Sequence, residues 1–541
     1  MYINFSDIPG QNELFLDYLY NFENVARFYK NDFRDFGNYG YIFERVSTER
    51  LSKREEVTSI IRNQYKRFSP SKKTQYNIDL LKSENTLAVV TGQQLGIFGG
   101  PLYTFYKIIT TIKLCKYLKE NHDKYQFVPV FWMEGDDHDL DEIRSCNLIN
   151  NKNEIETISY DDGLPPEENR GSVGNISLDD NIEGLLAKLE STLRDTEYKD
   201  DVMNLLSSHY KKGSTFKEAF SSLLFELFDD EGLVIFDPVD VEVKKLLSPI
   251  FSKEIEDFRE HTAGVVERSA ELEETYHTQV KIKPINLFML DGTERLLIEP
   301  VEDEFRLKGK RKKFSLDEIL EVLQNEPERF SPNVLLRPIC QDYLLPTAVY
   351  VGGPGEISYF AQVIPLYQYF KIVQPIIYPR SSLTIVEKNI KDITAKYKLD
   401  YKDMFTDTQN LEDSVISSLS DVNLEKLFNK YLDHLNEPIS GLREQLKKID
   451  GTLEDPLNKT INKIEQSLNQ LKSRAQGAEK RKFEAAIRQI TKTKTMIYPN
   501  DNLQERELNF IYFINKYGLD ILNWIFSELT INKFEHQFLN L

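Results

Sequence analysis

The feature that most constrains the fold is the segment from Leu87 to Leu114, LAVVTGQQLGIFGGPLYTFYKIITTIKL. Its first five residues are apolar and rich in β-branched side chains, which is typical of a buried parallel strand. Four glycines follow within nine positions, a density that indicates a tight loop. Pro101 suits the first turn of a helix, and apolar residues recur at helical spacing from Leu102 onward. The segment therefore predicts a strand, a glycine-rich loop and a helix.

The glycine-rich loop is a candidate anion site, because free N–H groups at a helix N-terminus attract phosphate or carboxylate. The loop matches neither GxGxxG nor GxxxxGK[ST], and glycine-rich turns also serve close packing alone. Four glycines and two adjacent glutamines exceed what packing requires, which favours ligand binding. The candidate binding residues here are Gln93, Gln94, Gly99, Gly100 and Tyr103. Lys107, two helical turns further on, is equally well explained as an ordinary helix cation.

Further apolar runs repeat this pattern of strand, polar turn and helix. They lie at residues 125–134, 233–238, 348–351 and 373–379. Together with the first strand they give about five core strands that alternate with helices, which predicts a parallel, doubly wound sheet. The predicted fold class is α/β, with a Rossmann-like core, connective insertions and a C-terminal α-helical coiled-coil domain.

The domain prediction follows shifts in composition along the chain. Polar residues and helical patterns indicate a connective insertion, and Asp291-Gly292 between two apolar runs predicts a hairpin. Apolar residues spaced by threes and fours after Leu446 predict a coiled coil, with a turn between two antiparallel arms at Gln476-Gly477-Ala478. The predicted domains are N-terminal helices with the first half of the core (1–150), the insertion (151–230), the second half of the core with a hairpin insertion near 280–330 (231–385), the coiled-coil arm (386–500) and a helix returning to the body (501–541).

Charge and cysteine content narrow the class of protein. The net charge of −19 and the pI near 5.1 argue against a general nucleic-acid or membrane-surface binder. Three widely spaced cysteines fit neither a disulfide framework nor a zinc site, which favours a reducing compartment. We find no signal peptide and no run of 18 apolar residues. These features predict a cytoplasmic protein without membrane or nucleic-acid partners.

An acidic cluster, EGDDHD at residues 134–139, directly follows the second predicted strand. Crowded carboxylates favour a cation, and Mg²⁺, a substrate amine and the histidine itself all fit that role. Asp137, His138 and Asp139 are the candidate catalytic residues. The alternative is a solvated turn that caps the next helix, and Asp139 could serve that purpose alone.

Two more polar groups follow later strands of the predicted core. Arg337 offers a planar fork for a carboxylate or a phosphate, and Arg380-Ser381 ends the last core strand. Either serine next to Arg380 could instead cap a helix. The candidate binding residues in these groups are Arg337, Asp342, Gly353, Gly355, Glu356, Tyr359, Arg380 and Ser381.

The strings GQQLGIFGGPLYTFYK, FWMEGDDHDLDEI, LRPICQD, VGGPGEISYF and YPRSS, in this order and followed by a coiled-coil pattern, resemble the bacillithiol biosynthesis cysteine-adding enzymes. The resemblance covers essentially the whole chain. It implies a core like that of class I aminoacyl-tRNA synthetases and a coiled-coil domain that pairs two subunits. It also implies that cysteine is added to glucosaminyl-malate in the last step of bacillithiol biosynthesis.

By position, Gly99 to Tyr103 matches the synthetases' HIGH signature, and Arg380-Ser381-Ser382 matches their KMSKS loop. The first string lacks the histidine pair and the second lacks the lysine. The leading hypothesis is a ligase that uses ATP, since attack on a free carboxylate needs a phosphate or adenylate leaving group. In this scheme ATP or ADP and Mg²⁺ are the expected cofactors, and Arg337 and Arg380 neutralise substrate anions.

Two rival hypotheses remain open at this point. The chain could be a synthetase-like binding subunit that needs a partner protein for catalysis, which the missing signature strings would explain. It could also be a synthetase relative that acts on tRNA, although the acidic charge argues against this. Turnover by the purified protein separates the first rival from the ligase, and tRNA binding at modest salt tests the second.

Overall fold

A computed structural model describes residues 1–49, 53–165 and 168–541 of the chain. The strands are β1 (Tyr2–Ile3), β2 (Thr86–Gln93), β3 (Gln126–Met133), β4 (Ser145–Ile149), β5 (Ile155–Ser159), β6 (Val234–Phe236), β7 (Leu287–Asp291), β8 (Glu294–Val301), β9 (Glu304–Leu307), β10 (Lys313–Phe314), β11 (Phe330–Pro332), β12 (Thr347–Gly352), β13 (Ile376–Pro379), β14 (Ser382–Val386) and β15 (His536–Asn540).

Helices account for much of the remaining chain. They are α1 (Glu13–Tyr20), α2 (Phe22–Val25), α3 (Phe36–Glu49), α4 (Arg54–Gln64), α5 (Lys72–Leu80), α6 (Leu102–Asn121), α7 (Leu140–Ile143), α8 (Asn181–Thr192), α9 (Lys199–His209), α10 (Phe216–Phe228), α11 (Val241–Glu256), α12 (Phe258–Glu273), α13 (Leu316–Asn325), α14 (Arg337–Leu344), α15 (Pro354–Phe370), α16 (Lys388–Tyr397), α17 (Thr408–Leu419), α18 (Leu424–Ile449), α19 (Glu454–Lys482), α20 (Glu484–Ile497), α21 (Gln504–Glu507), α22 (Ile511–Tyr517) and α23 (Asp520–Glu528).

The core is a five-stranded parallel sheet with the strand order β13-β12-β2-β3-β6. Strands β2 and β3 are buried along almost their whole length, as expected for a sheet covered on both faces. The chain passes from β2 outward to β3 and β6, and then crosses back to β12 and β13. The order therefore reverses between β2 and β12, and ligands bind at the strand carboxyl ends beside such a switch point. The predicted α/β, Rossmann-like fold class is confirmed.

The glycine-rich loop connects β2 to α6 as predicted, and its glycines have a steric reason. A Cβ on Gly96 would lie 2.6 Å from the Cα of Gly100, and Gly99 and Gly100 have φ values of +88° and +75°. The close contact leaves no room for a side chain at Gly96. The positive φ values at Gly99 and Gly100 are unfavourable for any residue that has a side chain. Close backbone packing therefore accounts for these three glycines.

A second, antiparallel sheet has the order β10-β9-β8-β7-β11. Its β7–β8 hairpin closes with Gly292 and Thr293 as the two loop residues, because Asp291 pairs with Glu294. The predicted Asp291-Gly292 turn is thus displaced by one residue, to the position where Gly292 has a φ of +63°. Within the predicted polar insertion, β5 also forms a hairpin with β4.

The chain divides into two compact units. One comprises Met1–Thr384 with Leu503–Leu539, and the other comprises Ile385–Asn502 with Asn540–Leu541. The domain ranges predicted from the sequence are not tested by this division and stay predictions. No helix among the described residues is long and apolar enough to cross a membrane.

The second unit contains α16 to α20, and its two long helices α18 and α19 pack against each other. The predicted turn at Gln476-Gly477-Ala478 is wrong, since α19 continues through it to Lys482. One glycine costs a helix interior only about 1 kcal/mol, which neighbouring turns can offset. The reversal instead lies at residues 450–453, where the Asp450 side chain accepts a hydrogen bond of 2.8 Å from the Thr452 N–H.

Candidate functional site

A cavity of about 610 Å³ opens at the carboxyl ends of the parallel strands. Its wall combines the ends of β2, β3 and β12 with residues from the antiparallel sheet and from the segment before it. Predicted site residues that line this cavity are Gln93, Gln94, Tyr103, Asp137, His138, Arg337, Gly353, Gly355, Glu356, Tyr359 and Arg380. The structure therefore brings together polar turns that are hundreds of residues apart in the chain.

Five predicted site residues lie outside the cavity. The Gly99 N–H bonds to the Tyr210 hydroxyl, and the Gly100 carbonyl accepts from Asn509. Asp342 is buried and accepts hydrogen bonds from Gln341 and Tyr367. Each of these groups is already engaged within the protein.

Asp139 and Ser381 are the other two predicted site residues that lie outside the cavity. Asp139 caps α7 by accepting from the Glu142 N–H at 3.3 Å, which is the structural alternative that the sequence left open. Ser381 is buried, and its hydroxyl donates to the Thr530 carbonyl at 3.1 Å. The structure gives both residues packing and capping roles instead.

Buried Lys107 forms an ion pair with half-buried Glu356 in the cavity wall. Lys107 also donates to the Gly92 carbonyl and to Gln93 Oε1, both at 2.9 Å. Burial lowers the pKa of Lys107, against the opposing effect of Glu356. Burial alone would raise the pKa of Glu356, but Lys107 and the Gly353 N–H outweigh it and hold that pKa low. Lys107 is therefore a structural cation of the wall.

Arg337 is fully engaged by protein groups. Its Nε lies 3.1 Å from Glu134 Oε1, and its terminal nitrogens donate to Tyr359, Tyr350 and Gln341. Arg380 pairs with buried Glu505 at 2.6 Å. These carboxylate partners offset the charges of the two arginines, and their role in neutralising substrate anions stays a prediction.

Three other cations line the cavity without such compensation. The side chains of Lys281, Lys283 and Arg506 make no hydrogen bond or ion pair with the described part of the chain. No sequence pattern pointed to these three residues. Lys281 and Lys283 lie between α12 and β7, and Arg506 lies in α21 near the C-terminus, so no local pattern connects them to the sheet. They are the cations available to an anionic ligand.

Glu134 is the carboxylate of this site whose pKa is raised toward neutral pH. It follows β3 directly, and its N–H donates to the Gln93 carbonyl across the strand ends. Burial raises the pKa of Glu134 to about 7, although Arg337 acts in the opposite direction. A carboxyl group with this pKa can exchange a proton near neutral pH. The sequence placed Glu134 in the acidic cluster but not among the candidate catalytic residues.

The remaining carboxylates of the cluster have separate partners. Asp136 lies 2.5 Å from the Lys244 ammonium. Asp137 accepts from Gln94 at 3.1 Å and from the His138 N–H at 2.7 Å. These bonds lower the pKa of Asp137 even though burial raises it. No three His, Cys, Asp or Glu side chains of the described residues converge as metal ligands, and Mg²⁺ as a cofactor stays a prediction.

His138 is oriented by Arg295, a residue that the sequence analysis did not single out. A guanidinium nitrogen of Arg295 lies 3.0 Å from His138 Nδ1, and the same group donates to Ser331 and Pro332. Arginine can only donate, so in this contact Nδ1 is the acceptor, and Asp137 Oδ1 lies 3.5 Å from the same nitrogen. With Nδ1 as the acceptor, Nε2 is the ring nitrogen that can donate a hydrogen bond to the cavity.

Comparison with known proteins gives a consistent family over the whole chain. Residues 1–381 match the family model described as "Bacillithiol biosynthesis BshC, N-terminal Rossmann-like domain". Residues 383–541 match the model described as "Bacillithiol biosynthesis BshC, C-terminal coiled-coil domain". The two models account for both predicted parts of the architecture.

Curated relatives agree with these models. Proteins named "Putative cysteine ligase BshC" are 36% identical in Salinibacter ruber (97% of this chain, 95% of the relative) and 34% identical in Chloroherpeton thalassium (96% and 95%). Among solved structures, an arginyl-tRNA synthetase-like chain from Campylobacter jejuni is 9% identical, covers 84% of this chain and 98% of its own, and has a TM-score of 0.21. That value is too low to support an argument about synthetase-like function.

Proposed function

This chain belongs to the BshC family of bacillithiol biosynthesis, and we propose that it is a ligase that joins the cysteine carboxyl group to the amine of glucosaminyl-malate. The supporting observation is the charge of the cavity. Its wall holds seven Lys and Arg side chains and five Asp and Glu side chains among the described residues, in a chain with a net charge of −19. A locally positive site in an acidic protein favours anionic substrates.

The malate moiety would bind at Lys281 and Lys283. Its two carboxylates need cations that are not already paired, and Arg337 and Arg380 each have a carboxylate partner. Lysine side chains near the surface can adjust to a flexible diacid because their ammonium groups impose little geometry. The rest of the acceptor would then extend toward the strand ends, where Glu134 and His138 lie.

Amide formation needs a proton acceptor for the attacking amine. In this scheme the amine nitrogen bonds to the cysteine carbonyl carbon, the bond from that carbon to the leaving-group oxygen breaks, and the amine proton passes to Glu134. A carboxylate with a pKa of about 7 is ionised in part at neutral pH and can accept it. The Nε2–H of His138 would stabilise negative charge on the carbonyl oxygen.

A nucleoside triphosphate such as ATP would supply the leaving group that a free carboxylate lacks. The net positive charge of the cavity wall fits its negative charge, and the volume of about 610 Å³ is in the range of small-molecule sites. Mg²⁺ in nucleotide sites is usually held by the substrate phosphates together with one or two carboxylates, so the ion would enter with the phosphates.

The decisive test supplies the purified chain with ATP, L-cysteine and glucosaminyl-malate. Mass spectrometry should detect bacillithiol, and release of ADP or AMP distinguishes an acyl phosphate from an adenylate. A folded protein that forms no product would contradict a self-sufficient ligase. Product that forms only after addition of cell extract would instead support the partner-dependent binding subunit. Cytoplasmic location also remains our proposal, in keeping with three cysteines that are all free and buried.

A further inference from the structure

A second, smaller cavity of about 200 Å³ adjoins the first. Its own wall includes Pro101, Ile143, Cys146 and Asn147, from the start of α6 and from the region of α7 and β4. None of these residues faces the larger cavity. The smaller cavity is thus a distinct compartment with apolar and polar walls.

The two cavities meet at a common boundary. The residues that line both of them are Gln93, Gln94, Tyr103, Glu142 and Arg506. A ligand in the smaller cavity can therefore present one end to a ligand in the larger cavity. Two substrates that must form a bond need this arrangement, with the reacting groups at the boundary.

Charges of both signs surround the smaller cavity. Arg506 lies at the boundary, and its side chain has no ion pair or hydrogen bond with the described residues. Glu142 accepts a hydrogen bond of 2.5 Å from Gln94, and Glu507 accepts one of 3.3 Å from Asn147. Burial raises the pKa of Glu142, and the carboxylates of Asp137 and Asp139 raise it further. A cation bound beside Glu142 would relieve that unfavourable charge.

The volume restricts the ligand to a small molecule. A cavity of about 150 Å³ can hold a ligand of six non-hydrogen atoms such as benzene, so about 200 Å³ is room for a small molecule. This is close to the number of non-hydrogen atoms in a small amino acid such as cysteine.

We propose that the smaller cavity binds the amino-acid substrate as a zwitterion, with its carboxylate at Arg506, its ammonium group at Glu142 and its side chain toward Ile143 and Cys146. The inference rests on the proposed ligase function, which requires an amino acid beside an amine acceptor. The carboxyl carbon then lies at the boundary, where an amine in the larger cavity can reach it. The bidentate geometry of arginine matches a carboxylate.

Calorimetry on the full-length protein tests this assignment. L-cysteine should bind, whereas cysteamine, which lacks the carboxylate, and N-acetyl-L-cysteine, which lacks the ammonium group, should each bind at least about tenfold more weakly. Arg506→Gln and Glu142→Gln should each raise the dissociation constant and the KM for L-cysteine by about tenfold or more. Equal binding of the three compounds, or variants with unchanged affinity and KM for cysteine, would overturn the proposal.

Lys281→Gln is the matched control, because Lys281 lines only the larger of these two cavities. It should leave cysteine binding unchanged and raise the KM for the sugar acceptor. The assay also distinguishes failure of the proposed amino-acid site from failure of the proposed ligase function. Product formation with an unaltered KM for cysteine in both variants refutes the amino-acid site alone. The predicted binding pattern without turnover refutes the ligase function and leaves the amino-acid site standing.

Discussion

At the residue scale, the most informative group is Glu134, whose half-buried side chain lies 3.1 Å from Arg337. Because the pKa of Glu134 is raised to about 7, the fraction of the group in the ionised, proton-accepting form increases as the pH rises through neutrality. The kcat/KM of the wild-type ligase should therefore increase with pH on a limb centred near 7 and level off above it. The pH-rate profile of the purified enzyme measures this limb.

The Glu134→Gln variant removes the proton acceptor but keeps the shape of the side chain. We expect kcat to fall by about 10²-fold to 10⁴-fold and the limb near pH 7 to disappear. Thermal melting should confirm that the variant is folded. A variant that retains the wild-type profile would show that the acceptor is another group.

His138 provides a second prediction, based on the tautomer set by Arg295. His138→Gln places an amide N–H where Nε2–H stood, whereas His138→Ala removes the donor. Loss of one such donor typically costs about 10²-fold to 10³-fold in kcat. The alanine variant should abolish thiol production in cells at unchanged protein abundance, and the glutamine variant should retain part of it. Lower abundance of the alanine variant would show a structural role, and equal loss in both variants would contradict the donor role.

At the element scale, local patterns predicted the sheet well. Strands β2, β3 and β12 are continuous apolar runs, and the glycines and Pro101 mark the start of α6. Periodicity also predicted long helices near the C-terminus, but not where they reverse. The helical pattern is equally regular on both sides of Gly477 and of residues 450–453, so the reversal depends on the capping bond of Asp450.

The function assigned to the glycine loop also needed the structure. The sequence shows that glycines are present but not whether a ligand or the backbone itself requires them. The contact between Gly96 and Gly100 shows that the backbone does. Spacing alone could not distinguish these cases, because both place glycines between a strand and a helix.

This explanation predicts a stability change at the loop. Gly96→Ala forces a Cβ against the Gly100 backbone at 2.6 Å, so the loop must shift, and we expect a loss of about 1 to 3 kcal/mol. The control is Gly184→Ala in α8, which meets no atom within 4 Å and should stabilise by about 0.5 to 1 kcal/mol. Calorimetric melting temperatures should therefore move in opposite directions. A neutral Gly96→Ala variant would contradict the packing explanation.

At the scale of the whole molecule, polar groups that the sequence placed after separate strands meet in one place, since Gln93, His138, Arg337 and Gly355 share a cavity. It could not predict which charges are free there. Pairing between Arg380 and Glu505 depends on two segments separated by more than a hundred residues. Tertiary contacts of this kind leave no periodic signal in the chain, so Arg295 and Arg506 were missed.

The proposed homodimer is also a property of the whole molecule. On α18, Leu442 and Ile449 are 49% and 75% exposed, and on α19, Ile464 and Leu471 are 39% and 54% exposed. Each pair is separated by seven residues, which places its members on one face of the helix. Apolar residues repeated in this way favour association with a second copy of the helical hairpin.

Substitution by a charged residue tests this association. Ile449→Glu and Leu471→Glu together would place carboxylates in the proposed interface, where their desolvation opposes association. Sedimentation should then show a monomer for the double variant and a dimer for the wild type at the same concentration. Val266→Glu is the matched control, because Val266 is 50% exposed but lies in α12 of the other unit, and it should remain dimeric. A double variant that stays dimeric would exclude this face as the interface, and a monomeric wild type would exclude the dimer itself.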